Sequence, residues 1–204
     1  SRTLGAIGNF WEACMLTNPN LFINVQPMSI GEAIISVNKR TATRQGRGVL
    51  NLKTRKIIAP SPSVWNHVMY INQLEDVSFI KDITDSTISA DITSGDIKNM
   101  EYFKYLDFLF ISDEEMFMDI EELAKIVKGW VILHYPSGSI CHNGTEYFKT
   151  TTKVVDNLNV LGAGDFFAAS FITSMLNNSD DIKKCIEASH NNTKKLLLRR
   201  NNEQ

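Results

Sequence analysis

Leu161-Gly162-Ala163-Gly164-Asp165-Phe166-Phe167-Ala168-Ala169-Ser170-Phe171-Ile172-Thr173-Ser174-Met175-Leu176 joins a glycine loop to a strongly patterned helix. Phe167, Phe171 and Met175 recur every four residues with Ala168, Ile172 and Leu176 beside them, so residues 166–176 are predicted to turn a helical face toward a core. Two glycines before a helix let the backbone approach a ligand closely and leave first-turn N–H groups without intrahelical acceptors. Those groups and the helix macrodipole together favour an anion. Asp165 at this point reads in two ways. It caps the helix, a common use of aspartate, or it takes a proton from a substrate hydroxyl while neighbouring amides hold a phosphoryl group. Asn177-Asn178-Ser179 stops the helix, and a second helix is predicted over Asp180–Leu198, ending in Arg199-Arg200.

Upstream, short apolar runs alternate with helical patterns. Val64–Ile71, Ile88–Ile92, Leu106–Ile111 and Trp130–Leu133 read as strands, the last closed by the turn Tyr135-Pro136-Ser137-Gly138. Glu114–Lys128 reads as a helix with Met118, Leu123, Ile126 and Val127 apolar, and Tyr147–Val155 reads as extended. Such alternation implies parallel strands joined by crossover helices, hence an α/β sandwich. Residues 21–58 differ: LFINV and AIISV are β-prone and separated by turn residues, which predicts a small set of strands or hairpins. At the front, Gly5 and Gly8 predict a short turn, and Asn9 is placed to cap a helix carrying Phe10, Ala13 and Cys14 on one face.

Composition narrows the function. The 204 residues carry 21 basic and 23 acidic side chains and 43% hydrophobic residues, which fits one globular domain over 1–204 and excludes intrinsic disorder. Near-zero net charge argues against a nucleic-acid partner, and no apolar run is long enough for a membrane helix. Cys14, Cys141 and Cys185 are widely spaced and form no C-x-x-C pair, and no basic-then-apolar leader is visible, so a reducing, cytoplasmic location is expected.

The segment Asn159-Val160-Leu161-Gly162-Ala163-Gly164-Asp165 and its helix resemble the C-terminal D-T-x-G-A-G-D signature of the ribokinase-like (PfkB) carbohydrate kinases, with Asn159 and Val160 in place of Asp-Thr. Other segments follow the family's order. Gly5-Ala6-Ile7-Gly8-Asn9 looks like the G-G-x-x-x-N element near the sugar site. The β-rich stretch around Ser29–Leu52 resembles the lid over the sugar. Ser89-Ala90-Asp91 occupies the place of a strand ending in Asp. Leu106–Glu115 resembles the strand leading into N-x-x-E, Ser112 replacing the Asn. Val131–Gly138 stands where the family has a strand and a T-x-G-x-x-G nucleotide-phosphate turn, His134 replacing the Thr.

The resemblance implies a three-layer α/β/α sandwich with a mainly parallel sheet, a small β lid within 21–58, and no counterpart of the family's first strand. It implies ATP and Mg2+ as cofactors and a sugar or sugar-like alcohol as acceptor, with a nucleoside as the variant within the family. Asp165 would be the base, with the amides of Gly162, Ala163 and Gly164 as anion hole. Ser112, Gly138, Gly162 and Gly164 would hold the nucleotide, Gly5, Gly8 and Asn9 the acceptor, and Glu115 the magnesium shell. The altered positions leave a non-catalytic nucleotide- or sugar-binding relative as the alternative.

Several features carry bland readings beside these. Acidic Asp113, Glu114 and Glu115 suit a solvated helix start. Seven basic residues between Lys39 and Lys56 suit a solvated hairpin edge that deters aggregation, ahead of a phosphate clamp. An exposed lid strand would pair with a second lid, which predicts a homodimer. His134 and His142 fit polar packing, Asn191-Asn192 lies where the family closes over adenine, and Trp11, Trp65 and Trp130 read as core.

Overall fold

The computed structural model describes residues 5–21, 34–38, 41–45, 63–156, 158–177 and 180–202. Within it, β1 (Ile34–Asn38) and β2 (Thr41–Gln45) pair antiparallel as a separate two-stranded sheet. The rest of the expected lid, most of the basic run from Lys39 to Lys56 and the surface expected to form a dimer lie outside the described residues. The main sheet has six strands in chain order: β3 (Trp65–Val68), β4 (Thr87–Asp91), β5 (Phe108–Ser112), β6 (Trp130–Tyr135), β7 (Gly138–His142) and β8 (Tyr147–Thr151). From β3 to β6 all neighbours are parallel, and β7 and β8 then return antiparallel.

Period-two alternation gives the sheet two faces. Leu109 and Ile111 of β5 with Val131 and Leu133 of β6 pack into one core, beneath α2 (Ile120–Ile126) and the turns around Ile71, Ile80 and Phe103. Phe108 and Phe110 with Ile132 face the other way, against Phe167 and Phe171 of α3 (Ala163–Leu176) and Cys185 and Ile186 of α4 (Ile182–Asn202). Helix α1 (Gly5–Thr17) then seats Ala13 and Cys14 on Phe166, Ala169, Leu196 and Leu197. The result is a mostly parallel α/β sandwich, as the alternating pattern predicts. No helix among the described residues is long and apolar enough to cross a membrane.

The crossovers depart from expectation. Of the three that link parallel strands, only β5 to β6 contains an α-helix; the others use 3-10 turns at Ile71–Gln73, Ser78–Asp82 and Met100–Tyr105. Asparagine side chains do there what a helix ladder would do. Asn99 Nδ2 donates to the carbonyls of Ile71 and Leu74, and buried Asn72 donates to Thr93 O at 2.7 Å while accepting from Thr93 N at 3.1 Å. Asn72→Ala should therefore lower stability by about 2–3 kcal/mol in urea unfolding, because two hydrogen bonds from the buried Asn72 amide to the Thr93 backbone are lost. A loss below about 0.5 kcal/mol would show that water replaces the side chain.

The helix predicted over Glu114–Lys128 is also shorter. Asp113–Glu115 forms one 3-10 turn, and α2 starts only at Ile120, where the Asp119 carboxylate accepts from Glu121 N at 2.8 Å. Met116, Phe117 and Met118 explain the delay: a helix would spread three consecutive residues around its axis, whereas all three pack on the same core. At the front of the chain, Gly5 and Gly8 lie inside α1 instead of a turn, and Asn9 is an interior residue, not its cap.

Candidate active site

In open parallel sheets, ligands gather at the carboxyl ends of the strands. Here Tyr70 follows β3, Asp91 ends β4, Ser112 ends β5 and His134 lies near the end of β6. These four residues and the start of α3 border a cavity of about 390 Å³. Gly162 is the residue before the helix, with φ 81°, a left-handed value suited to glycine. Asn9 presses on it so closely that a Cβ there would lie 2.4 Å from Asn9 Nδ2.

Helix α3 begins at Ala163, so Asp165 is its third residue and not the capping one. The Ala163 amide is already taken by Val160 O at 3.0 Å. That leaves the Gly164 and Asp165 amides as the first-turn donors without intrahelical acceptors. Of the expected anion hole over Gly162–Gly164, the turn at 160–163 thus consumes the Ala163 amide.

Asp165 is only 5% exposed, and each carboxylate oxygen accepts a hydrogen bond. Asn9 Nδ2 donates to Oδ2 at 2.8 Å, and Tyr70 Oη donates to Oδ1 at 3.1 Å. Burial, and then the nearby charge of Asp91, push the Asp165 carboxyl up to about 7, against the lowering effect of Asn9, Tyr70 and Arg200. Tyr70 ties the two acids together. Its backbone is left-handed at φ 55°, its N–H donates to Asp91 Oδ1 and its phenol reaches Asp165. A non-glycine residue in that conformation is strained, and its two carboxylate contacts hold it there.

His67, stacked on Phe10, lies behind Asp91: its Nε2 is 3.7 Å from Asp91 Oδ2, and its Nδ1 is 2.8 Å from Ser89 Oγ. On the opposite side, His134 stacks on Phe167 at 4.8 Å between centroids and faces Gly164. Burial, followed by the neighbouring His190, pulls His134 down to about 4, with Asp91 opposing. His190 is likewise held down to about 4 by burial and pairs with Ser139 Oγ at 2.7 Å. Both imidazoles are therefore neutral at pH 7.

Of the residues singled out in the sequence, Ser112, Glu115, Gly162, Ala163, Gly164 and Asp165 line the one cavity. Ser112 Oγ donates to Glu115 Oε2 at 3.0 Å. Gly138 is not brought there: it opens β7 pressed against β8, where a Cβ would meet Thr150 O at 2.1 Å. Gly5 and Gly8 sit in α1, Gly8 outside the cavity lining, and Asn9 spends its amide on Asp165 and Arg200 instead of facing the cavity. Tyr70, His67 and Arg200 escaped the sequence reading, since each works through a contact between distant elements. Among the described residues no three His, Cys, Asp or Glu side chains converge into a metal cage.

Solved structures share this arrangement of elements. A pyrophosphate-dependent kinase in the ribokinase family, determined as a sulfate complex, superposes with TM-score 0.51 at 18% identity over 64% of this chain and 55% of its own. Ribokinase from Thermotoga maritima gives 0.50 at 19% identity, covering 62% of this chain and 48% of its own. The fold is ribokinase-like. Adenosine kinase from Anopheles gambiae, in complex with a di(adenosine) tetraphosphate, extends the comparison with TM-score 0.50 at 15% identity over 65% of this chain and 50% of its own. The chain thus spans about half the length of these ribokinase-like structures. No protein-family model and no curated protein matches the sequence.

Proposed function

We propose that this chain transfers a phosphoryl group from ATP to a hydroxyl of a sugar or sugar-like alcohol, a nucleoside being the variant acceptor. One observation carries the reading: the Asp165 carboxyl, poised near neutrality, lines the same cavity as the Gly164 amide at the carboxyl ends of four parallel strands. A base titrating near 7 both exists in its charged form and takes up a proton readily at neutral pH. Asp165 removes the proton of the attacking hydroxyl. The Gly164 and Asp165 amides stabilise charge on the transferred oxygens, and the α3 dipole adds to them. His134, neutral and facing Gly164, offers a ring N–H to the same oxygens without adding charge.

Magnesium fits this site through the donor's phosphates and water, since Mg2+ commonly uses one or two carboxylates in place of an all-protein cage. Glu115, oriented by Ser112, is the carboxylate for it. When bound, the ion would neutralise phosphate charge. Two of the fold neighbours are described with sulfate and with an adenosine polyphosphate, which supports an anionic donor here.

A second reading, a binding protein without turnover, is favoured by the engagement of both Asp165 oxygens. Thermal unfolding separates the two. Mg·ATP at a hundredfold over its dissociation constant should stabilise the chain by about 2.7 kcal/mol. For this size that raises Tm by about 5–10 °C. A shift with turnover on a sugar and nucleoside panel supports the kinase, a shift without turnover the binding protein. No shift with Mg·ATP overturns the kinase, and no shift with Mg·ATP or any member of the sugar and nucleoside panel overturns both.

A further inference from the structure

We infer that Arg200, on α4 and outside the cavity lining, is a positioning residue that sets the ionisation and the orientation of Asp165 through Asn9. Its guanidinium donates from Nη1 to Leu161 O at 2.6 Å and from Nη2 to Asn9 Oδ1 at 2.7 Å. It lies 4.6 Å over the Phe166 ring, with Glu12 Oε2 4.0 Å from Nη2. A guanidinium has donors and no acceptor, and it stays charged at every accessible pH. Asn9 must therefore turn its carbonyl oxygen to Arg200, which fixes its NH2 group toward Asp165 Oδ2 at 2.8 Å. The flipped amide would set NH2 against the guanidinium and an oxygen against the carboxylate, two repulsions at once. A side chain that never reaches the cavity thus decides that Asn9 is a donor to Asp165.

The second bond acts on the loop. Leu161 immediately precedes Gly162, so the same guanidinium anchors the turn from which the Gly164 and Asp165 amides project. The groups facing Asp165 are Tyr70 after β3, Asp91 at the end of β4 and, on α1, Asn9 with Glu12 behind it; His67 and His134 stand beside Asp91. Asp91 drives the Asp165 carboxyl toward its protonated form, and Arg200 supplies a permanent positive charge against it. The consequence for turnover rests on Asp165 being the base proposed above; the effect on its ionisation does not.

The test is a 13C NMR titration of the full chain, reading the side-chain carboxyl resonance that disappears in Asp165→Asn. In Arg200→Gln the midpoint should rise by about half a pH unit, because the pull of the positive charge and its hold on the Asn9 donor are lost together. Arg200→Lys keeps the charge but not the fork, and should recover part of that rise. In an Asn9→Ala background, Arg200→Gln should move the midpoint less, because the route through the amide is cut. An unmoved midpoint in Arg200→Gln, or an equal shift with and without Asn9, overturns the inference. Should Arg200→Gln fail to fold, Arg200→Lys alone decides: a midpoint above wild type supports the inference, an unchanged one overturns it. A chain that titrates as described yet binds no Mg·ATP would leave this inference standing and remove the kinase reading.

Discussion

Asp165→Asn is expected to reduce turnover by about 10²–10⁴-fold, the range a positioned general base contributes, while donor affinity stays within about threefold. Asn is nearly isosteric and keeps the backbone amides in place; it removes the proton-accepting charge and one acceptor oxygen, and the Tyr70 hydroxyl can turn to accept from the new NH2 group while Asn9 still donates to the remaining oxygen. Wild-type turnover should rise with pH through about 7, the value to which burial and Asp91 bring the carboxyl, and the residual rate of the variant should lose that limb. Steady-state rates from pH 5 to 9, with donor affinity measured by calorimetry, check this. Equal loss of rate and affinity would mean that Asp165 supports the loop and does no chemistry.

The same substitution carries a stability signature that needs no substrate. The folded chain holds the Asp165 proton more tightly than the unfolded chain, whose carboxyl stays near its ordinary 3.8. That contribution to stability is complete below about 4 and disappears as pH rises to about 7, an amount on the order of a few kcal/mol. His134 and His190 have the opposite sign, because each is held down to about 4 in the fold and stability is lost on acidification below 6.5. The two trends oppose each other across one pH window. The quantity to read is therefore the difference between wild type and Asp165→Asn: its stability relative to wild type should improve from pH 4 to pH 7 and then level off. A difference that stays constant across that window would place the carboxyl in an ordinary, solvated setting.

The fold was legible where a local pattern and the tertiary environment agree. The apolar runs of β5 and β6 and the four-residue recurrence of Phe167, Phe171 and Met175 are direct images of burial, and the structure buries them as read. The crossovers were not legible, because Asn72 and Asn99 satisfy distant backbone groups and replace helices that the β-α rhythm leads one to expect. The glycine loop and Asp165 stood out for the same local reason as the helix behind them. What surrounds that carboxylate did not. Asn9 is 156 positions away in sequence and Tyr70 is 95, and neither has a neighbour pattern that announces its partner. Asn9 was singled out for an acceptor; its amide is instead held between Arg200 and Asp165, a role that depends on three helices meeting.

The two glycines of the loop should separate folding from binding. At Gly162, alanine would need the left-handed backbone at φ 81° and would put its methyl 2.4 Å from Asn9 Nδ2 and 2.8 Å from Asn9 Cγ. Left-handed strain alone costs about 1–3 kcal/mol, and displacing Asn9 removes a donor from Asp165, so Gly162→Ala should lose at least about 2 kcal/mol in urea unfolding. At Gly164 the position is helical, and the added methyl would stand 3.6 Å from His134 Cε1 and 3.8 Å from His134 Nε2, ordinary contact distances. Alanine there is a better helix former by about 0.5–1 kcal/mol, so Gly164→Ala should be as stable as wild type or more so. Yet the methyl would project beside the first-turn amides at the cavity wall, where the proposed phosphoryl group would be held. Donor affinity should fall at least about tenfold, a loss of about 1.4 kcal/mol of binding. If Gly164→Ala binds Mg·ATP as tightly as wild type, the anion is held elsewhere; if Gly162→Ala is equally stable, the loop does not lean on Asn9. The opposite outcomes at two glycines two positions apart follow from what each faces: Gly162 meets an amide already committed to Asp165, and Gly164 meets the His134 ring at the cavity wall.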